Sequence, residues 1–254
     1  MLIDVNTYLG HWPFRQLRGN TVAALLRRMD RCGIERALVG SLDAVCYRDV
    51  LPANEALARQ TRRYRDRLLP VATLNPRYPG WREDLRRCAE EGQMGGLRLY
   101  PQYHGYELTE ARGLELIDAA VALDWVVQVP MRLEDRRQRH VLDVARDLTG
   151  AELVAVVQAR PGVRWIFLEA LGLEGVQFPA NAEYLVEISR MTAVLQRNIQ
   201  AFAAAAGEGH LAFGTGMPLK VPEPALLKLE VLDAPKRVRE GIAWRNAARL
   251  LRWK

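Results

Sequence analysis

The chain has 254 residues, 49% of them hydrophobic and 26% charged, with a formal net charge of +6. That is enough for one large core and close to the usual length of a compact (β/α)8 barrel. No apolar run reaches membrane-spanning length, and Met1 leads straight into a strand without a basic-then-apolar leader. A cytoplasmic protein with no membrane partner is therefore expected.

The positive charge does not point to nucleic acid. Arginines such as Arg27, Arg28, Arg62, Arg63, Arg86 and Arg87 are interleaved with acids and apolar residues, like a solvated helix face, and no aromatic platform accompanies them. A small anionic ligand is the milder reading of the same charge. Cys32, Cys46 and Cys88 are odd in number and lack metal-type spacing, which predicts reduced, mostly buried thiols.

In chain order, Leu2 to Leu9 reads as a first strand, with Ile3 and Val5 on one side and Asp4 and Asn6 on the other by the period of two. Asn20 is placed to cap a helix that Gly33 stops, with Val22, Leu25, Leu26 and Met29 at helical spacing. Ala37 to Gly40 is strand two, followed by a helix from about Pro52. Leu68 to Leu74 is strand three, and Trp81 to Glu91 an amphipathic helix. Gly95-Gly96 breaks before strand four, Leu97 to Tyr100. A helix over Ala111 to Leu123 leads to strand five, Trp125 to Val129. A long segment with Glu134, Asp135, Arg136 and His140 then runs into a helix ending at Arg160. Val163 to Leu168, Tyr184 to Ile188 and His210 to Gly214 are strands six to eight, and helices over Leu226 to Leu232 and Pro235 to Leu251 close the chain.

Eight strands alternating with helices predict an α/β fold, a parallel, eight-stranded (β/α)8 TIM barrel in one domain over 1–254. The alternative is an open doubly wound sheet, but no Gly-x-Gly-x-x-Gly follows the first strand.

Barrel chemistry sits at the C-terminal ends of the strands. The polar residues there are Asn6, Tyr8, Asp43, Asn75, Arg98, Tyr100, Gln128, Arg132, Glu169, Glu187 and Thr215. Leu97 and Leu99 should face the helices, which turns Arg98 and Tyr100 inward. An inward arginine needs either an internal acid, Asp4 or Glu169, or an anionic ligand. His104 stands among Tyr103 and Tyr106 just beyond. Arg136 and His140, four apart, would share a helical face beside Glu134 and Asp135, or form a charged surface helix. Trp12 is read as core, and His210 as a stability residue at the barrel bottom.

Ile3-Asp4, Gly96-Leu97-Arg98-Leu99-Tyr100-Pro101, Phe213-Gly214-Thr215-Gly216-Met217-Pro218 and Asn246-Ala247-Ala248-Arg249-Leu250-Leu251 together resemble the amidohydrolase superfamily. The nearest branch is the one containing aminocarboxymuconate-semialdehyde decarboxylase. The resemblance covers nearly the whole chain. It implies a divalent metal held by a His-x-His pair on strand one, single histidines on strands five and six, and an aspartate on strand eight. Those positions fall here on Asn6 and Tyr8, Pro130, Ala170 (or the adjacent Glu169) and Gly216. Pro, Ala and Gly offer no side-chain donor and Asn is a poor zinc ligand, so no metal or other cofactor is expected.

Two functions follow. One is a metal-independent hydrolase or lyase acting on a small anionic molecule at the barrel mouth. Arg98 would anchor the anion, His104 or His140 would move a proton, and Tyr8, Tyr100 and Asn6 would donate to developing charge. Gln128, Arg132 and Glu169 would complete the binding wall. The other is a non-catalytic binding or regulatory subunit. A homo-oligomer is also considered, with Trp244 to Trp253 either on a dimer surface or in the last barrel helix.

Overall fold

In the computed structural model, which describes residues 1–253, strands and helices alternate as the sequence predicts. The first half comprises β1 (Ile3–Leu9), α1 (Val22–Cys32), β2 (Arg36–Ser41), α2 (Leu51–Thr61), β3 (Leu68–Pro70), α3 (Trp81–Glu90), β4 (Gly96–Arg98), α4 (Pro101–His104) and α5 (Ala111–Ala122). The second comprises β5 (Val126–Pro130), α6 (Gly150–Ala159), β6 (Arg164–Leu168), β7 (Glu183–Glu187), α7 (Asn198–Ala206), β8 (Leu211–Ala212), α8 (Glu223–Val231), α9 (Lys236–Glu240) and α10 (Asn246–Leu251).

All strand pairs are parallel, in the runs β1-β2-β3 and β4-β5-β6-β7-β8. The ring closes at both seams. Between β3 and β4, Ala72 pairs with Leu97, and the Arg98 N–H donates to the Ala72 carbonyl at 2.7 Å. Between β8 and β1, Thr7 pairs with Met217, and the Tyr8 N–H donates to the Met217 carbonyl at 2.8 Å. The result is a (β/α)8 barrel.

Alternation along the strands divides the core into two layers. Val39, Leu97, Leu99, Val127, Trp165, Phe167 and Val186 pack outward into the helices. Ile3, Val5, Leu38, Val71, Val126, Ile166, Leu185 and Ala212 fill the lower interior, and Ala247, Leu250 and Leu251 of α10 close the floor. Trp244 and Trp253 are partly buried and pack against that floor. Among the described residues no helix is long and apolar enough to cross a membrane.

Four expectations need correction. The strict alternation expected for β1 is broken by a bulge between Asp4 and Thr7. A bulge re-aims side chains, so the strand sends Ile3 and Val5 into the apolar lower interior and Asn6 and Tyr8 toward polar partners above it. Thr21 caps α1 in place of Asn20, its hydroxyl accepting the Ala24 N–H at 3.4 Å. The segment 132–148 is irregular where a shared helical face was expected. Asp147 gathers it instead, pairing with Arg132 at 3.0 Å, Arg136 at 2.8 Å and Arg139 at 2.6 Å. Of the thiols, only Cys88 is buried; Cys32 is half-buried and Cys46 exposed.

Candidate functional site

The barrel mouth carries two polar clusters of opposite character. The first spans β1 and the ends of β6, β7 and β8. The Asn6 amide donates one hydrogen to Glu169 Oε1 and the other to Glu187 Oε2, each at 2.8 Å. Glu169 has a left-handed backbone, φ +52°, and its N–H donates to Glu187 Oε2 at 3.1 Å. Its other carboxylate oxygen receives the Lys220 ammonium at 2.7 Å and Arg190 Nε at 2.8 Å. Burial alone would push Glu169 up, but the Lys220 and Arg190 cations outweigh it and hold the carboxyl below its ordinary range. Lys220 also donates to the Ser189 hydroxyl. Beside this cluster, Asp4 accepts from the Thr215 hydroxyl at 2.6 Å and the Asn6 N–H at 2.9 Å. Burial raises its carboxyl to about 7.

The second cluster spans β1, β4 and β5. Arg98 is fully buried, yet among the described residues it forms no ion pair. Its Nε donates to Gln128 Oε1 at 2.8 Å and its Nη1 to the Thr7 carbonyl at 3.1 Å. Gln128 is fixed in turn by donating to the Val5 carbonyl at 2.9 Å. The guanidinium lies over the Tyr8 ring, 4.5 Å from its centroid, and a side chain at Gly40 would collide with it, at 2.7 Å from Nη1. Arg98 Nη2, the Tyr8 and Tyr100 hydroxyls, Asn6 Oδ1 and His104 Nδ1 are all buried without a well-formed hydrogen bond among the described residues, the Tyr100 hydroxyl lying beside the Arg98 guanidinium. Burial pushes the Tyr100 phenol to about 12 and Tyr8 well above its ordinary value, so both are neutral donors. The internal ion pair considered for Arg98 is thus replaced by neutral partners: Glu169 is committed to Lys220 and Arg190, and Asp4 to Thr215.

An apolar cover lies over this cluster. Trp12, Leu17, Leu42, Val45, Leu133 and Leu219 pack with Tyr8 and Tyr100, flanked by Phe14 and Tyr103. Trp12 Nε1 donates to Glu134 Oε2 at 2.9 Å, and Arg15 pairs with the same carboxylate. Trp12 is therefore core, as expected.

The other candidates are scattered by the fold. His104 is nine-tenths buried, with Nε2 3.2 Å from the Ala44 carbonyl, and burial lowers it to about 4. His140 is exposed on the outer side of the cover, stacked on Phe14. Arg132 serves the Asp147 hub and Glu169 the filled cluster, so neither joins Arg98.

The amidohydrolase family model matches residues 12–253 of this barrel. The chain belongs to the amidohydrolase family. No curated protein matches its sequence. The amidohydrolase is similar in structure to 5-carboxyvanillate decarboxylase from Sphingomonas paucimobilis, at 14% identity and TM-score 0.73 over 99% of this chain and 98% of that one. It is similar to 2,6-dihydroxybenzoate decarboxylase from Rhizobium, at 16% identity and TM-score 0.71 over 98% and 99%. A dihydroxybenzoic acid decarboxylase from a Polaromonas species, with bound manganese and the inhibitor 2-nitroresorcinol, is similar at 14% identity and TM-score 0.73 over 99% and 96%. At such identities the likeness shows the fold.

The residues of this amidohydrolase do not fit a divalent metal. A side-chain carbon on Gly216 would fall 2.4 Å from Lys220 Cε and 2.7 Å from Glu169 Oε1, so the space of the expected aspartate is filled by a lysine. Asn6 turns its two amide hydrogens, not a lone pair, toward the glutamates. Pro130 and Ala170 supply no donor, and among the described residues no cluster of His, Cys, Asp and Glu is arranged to hold a metal. Lys220 and Arg190 supply the cationic charge. Both were missed in the sequence reading. The one available signal was Gly216, a residue small enough to admit a long side chain from a neighbouring loop.

Proposed function

We propose that this barrel binds a small organic acid at Arg98 and acts on it without a metal, as a lyase in preference to a hydrolase. The observation that carries this reading is a fully buried guanidinium with no carboxylate partner and no well-formed hydrogen bond at Nη2. Desolvating an unpaired charge costs several kcal/mol, on the order of what a single buried ion loses in leaving water, and an incoming anion offsets that cost. A carboxylate matches the planar guanidinium. The Tyr8 and Tyr100 hydroxyls stand as neutral donors beside it, beneath the apolar cover of Trp12, Leu42, Val45 and Leu219, which a bound acid would displace. The structurally similar enzymes named above are decarboxylases of ring acids, the same ligand class.

Hydrolysis would need a base to activate water, and Asp4, Glu169 and Glu187 are already committed to hydrogen bonds. Loss of carbon dioxide asks less. The C–C bond breaks, its electron pair stays on the ring carbon, and a proton is delivered there, a role open to the Tyr8 or Tyr100 hydroxyl. A second reading, an acid-binding subunit without catalysis, is supported by the exposed His140 and by His104, neutral and engaged with Ala44.

The test is calorimetric titration with benzoate and 2,6-dihydroxybenzoate, alongside carbon dioxide release before and after chelation and elemental analysis of the protein. Saturable binding that weakens about 100-fold or more in Arg98→Met, with release insensitive to chelator, is expected. Binding without release selects the non-catalytic reading. Unchanged binding in Arg98→Met, or an equivalent of metal on which release depends, rejects the proposal.

A further inference from the structure

Outside the barrel interior, a cleft of about 480 Å3 opens at the mouth between the loops that follow β2, β3 and β4. Arg48, Arg77 and Arg112 line it, and no acidic residue does. All three arginines are exposed, and none forms an ion pair among the described residues. On the helix surfaces Arg82, Arg86, Arg87 and Arg160 each have a carboxylate partner, whereas Arg27, Arg28, Arg62 and Arg63, like the cleft arginines, have none among the described residues. The cleft wall thus carries three positive charges and no acid, a local excess that favours an anion.

The cleft is built rather than fortuitous. Asn75, 4% exposed, donates from its side-chain amide to the Arg48 carbonyl at 3.2 Å and accepts the Arg77 N–H at 3.0 Å. One buried amide thus ties together the two loops that carry these arginines. Arg77 also donates to the Gly105 carbonyl, which tethers it to the end of α4. Arg112 sits in the first turn of α5, a turn with no acidic residue, where the helix dipole disfavours a cation but favours an anion beside it. The inner wall is His104, nine-tenths buried with an unpartnered Nδ1, and Tyr103. Tyr103 donates its hydroxyl to Asp143, which also faces Arg139, and the N-cap of α5 is Glu110, two residues before Arg112.

We propose that this cleft is a second anion site, specific for a multiply charged oxyanion of the phosphate type, free or as a phosphate monoester. Three guanidinium groups would leave a monocarboxylate over-compensated, whereas a dianion with three acceptor oxygens uses each fork. The site is independent of Arg98, so it stands or falls separately from the reading of the barrel interior.

The probes are inorganic phosphate and phenyl phosphate, each titrated calorimetrically into the full chain. The variants are the exposed pair Arg48→Gln/Arg112→Gln and, separately, Arg98→Met. Circular dichroism of the double variant, whose altered side chains lie on the surface, checks that its fold is kept. The expected result is saturable binding of one equivalent, weakened tenfold or more in the double variant, unchanged in Arg98→Met and weakened by added salt. Tighter binding of phenyl phosphate identifies an ester as the occupant, and equal affinity identifies free phosphate. Absence of saturable binding, equal affinity in the double variant, or loss in Arg98→Met alone overturns the proposal.

Discussion

The two polar clusters at the barrel mouth are neighbours, yet they solve burial in opposite ways. Around Glu169, charges of both signs are inside and nearly every polar atom is paired, so Lys220 and Arg190 make this cluster part of the structure. Around Arg98 one charge is inside, its acceptors are neutral, and Nη2 is left without a well-formed hydrogen bond beside the Tyr8 and Tyr100 hydroxyls. Buried groups left unpaired are costly, so natural proteins keep them mainly where a ligand completes the set. The comparison therefore separates residues that hold the barrel from residues that wait for something.

The sharpest way to break it is to remove Glu169. Glu169→Ala leaves Lys220 without a carboxylate and Arg190 with Asp135 alone, at 3.3 Å, and a loss of about 3–5 kcal/mol is expected in urea denaturation. A loss under about 1 kcal/mol would mean that the cluster is not the structural half.

Next comes the pH dependence of Asp4. Buried among Thr215 and Asn6, with Glu187 adding repulsion, folded Asp4 keeps its proton up to about 7, against an ordinary value of 3.8. Folding therefore takes up a proton between those values, and this contribution to stability is complete below the ordinary value and lost as pH climbs to about 7. His104 acts in the opposite sense: its folded value near 4 costs stability as pH falls below 6.5. Asp4→Asn should isolate the first effect, gaining on the parent protein as pH is raised from about 5 to about 8. Parallel stability curves would show that Asp4 is ionised throughout.

Glu134→Gln probes the cover between the Arg98 cluster and solvent. It keeps an acceptor for Trp12 but removes the Arg15 ion pair, so only about 1 kcal/mol should be lost. Hydrogen exchange over residues 11–20 should quicken, and the association rate of a bound acid should rise. Unchanged exchange would assign the cover to rigid packing.

The smallest stability effect is the most telling. Arg98→Met should lie within about 1 kcal/mol of the parent, because removing an unpaired buried cation offsets the donors lost by Gln128 Oε1 and the Thr7 carbonyl. Its ligand binding should nonetheless collapse. A large loss of stability would move Arg98 into the same class as Glu169.

Much of this was legible in the residues. The periodic alternation of strand and helix gave eight βα units, and the Leu97-Arg98-Leu99-Tyr100 alternation sent Arg98 and Tyr100 inward, where they lie. Gly216 and Pro130 already argued against a ligand set. Element ends were less legible, as with β3, expected to Leu74 and ending at Pro70, because strand ends are fixed by pairing with a neighbour. The Glu134 to His140 stretch was misread because helical spacing is only a local signal. The Asp147 hub that organises it joins residues through their side chains, not through backbone periodicity.

What the sequence by itself determined was the barrel and its inward and outward faces, since both follow from periodicity. Only the tertiary structure decided which buried charges are paired. Lys220 reaches Glu169 across 51 residues of chain and Asn6 reaches Glu187 across 181, while Arg98 meets no carboxylate among the described residues. Pairing of buried charges depends on distances of a few ångströms between segments far apart in sequence, and those distances exist only once the ring has closed.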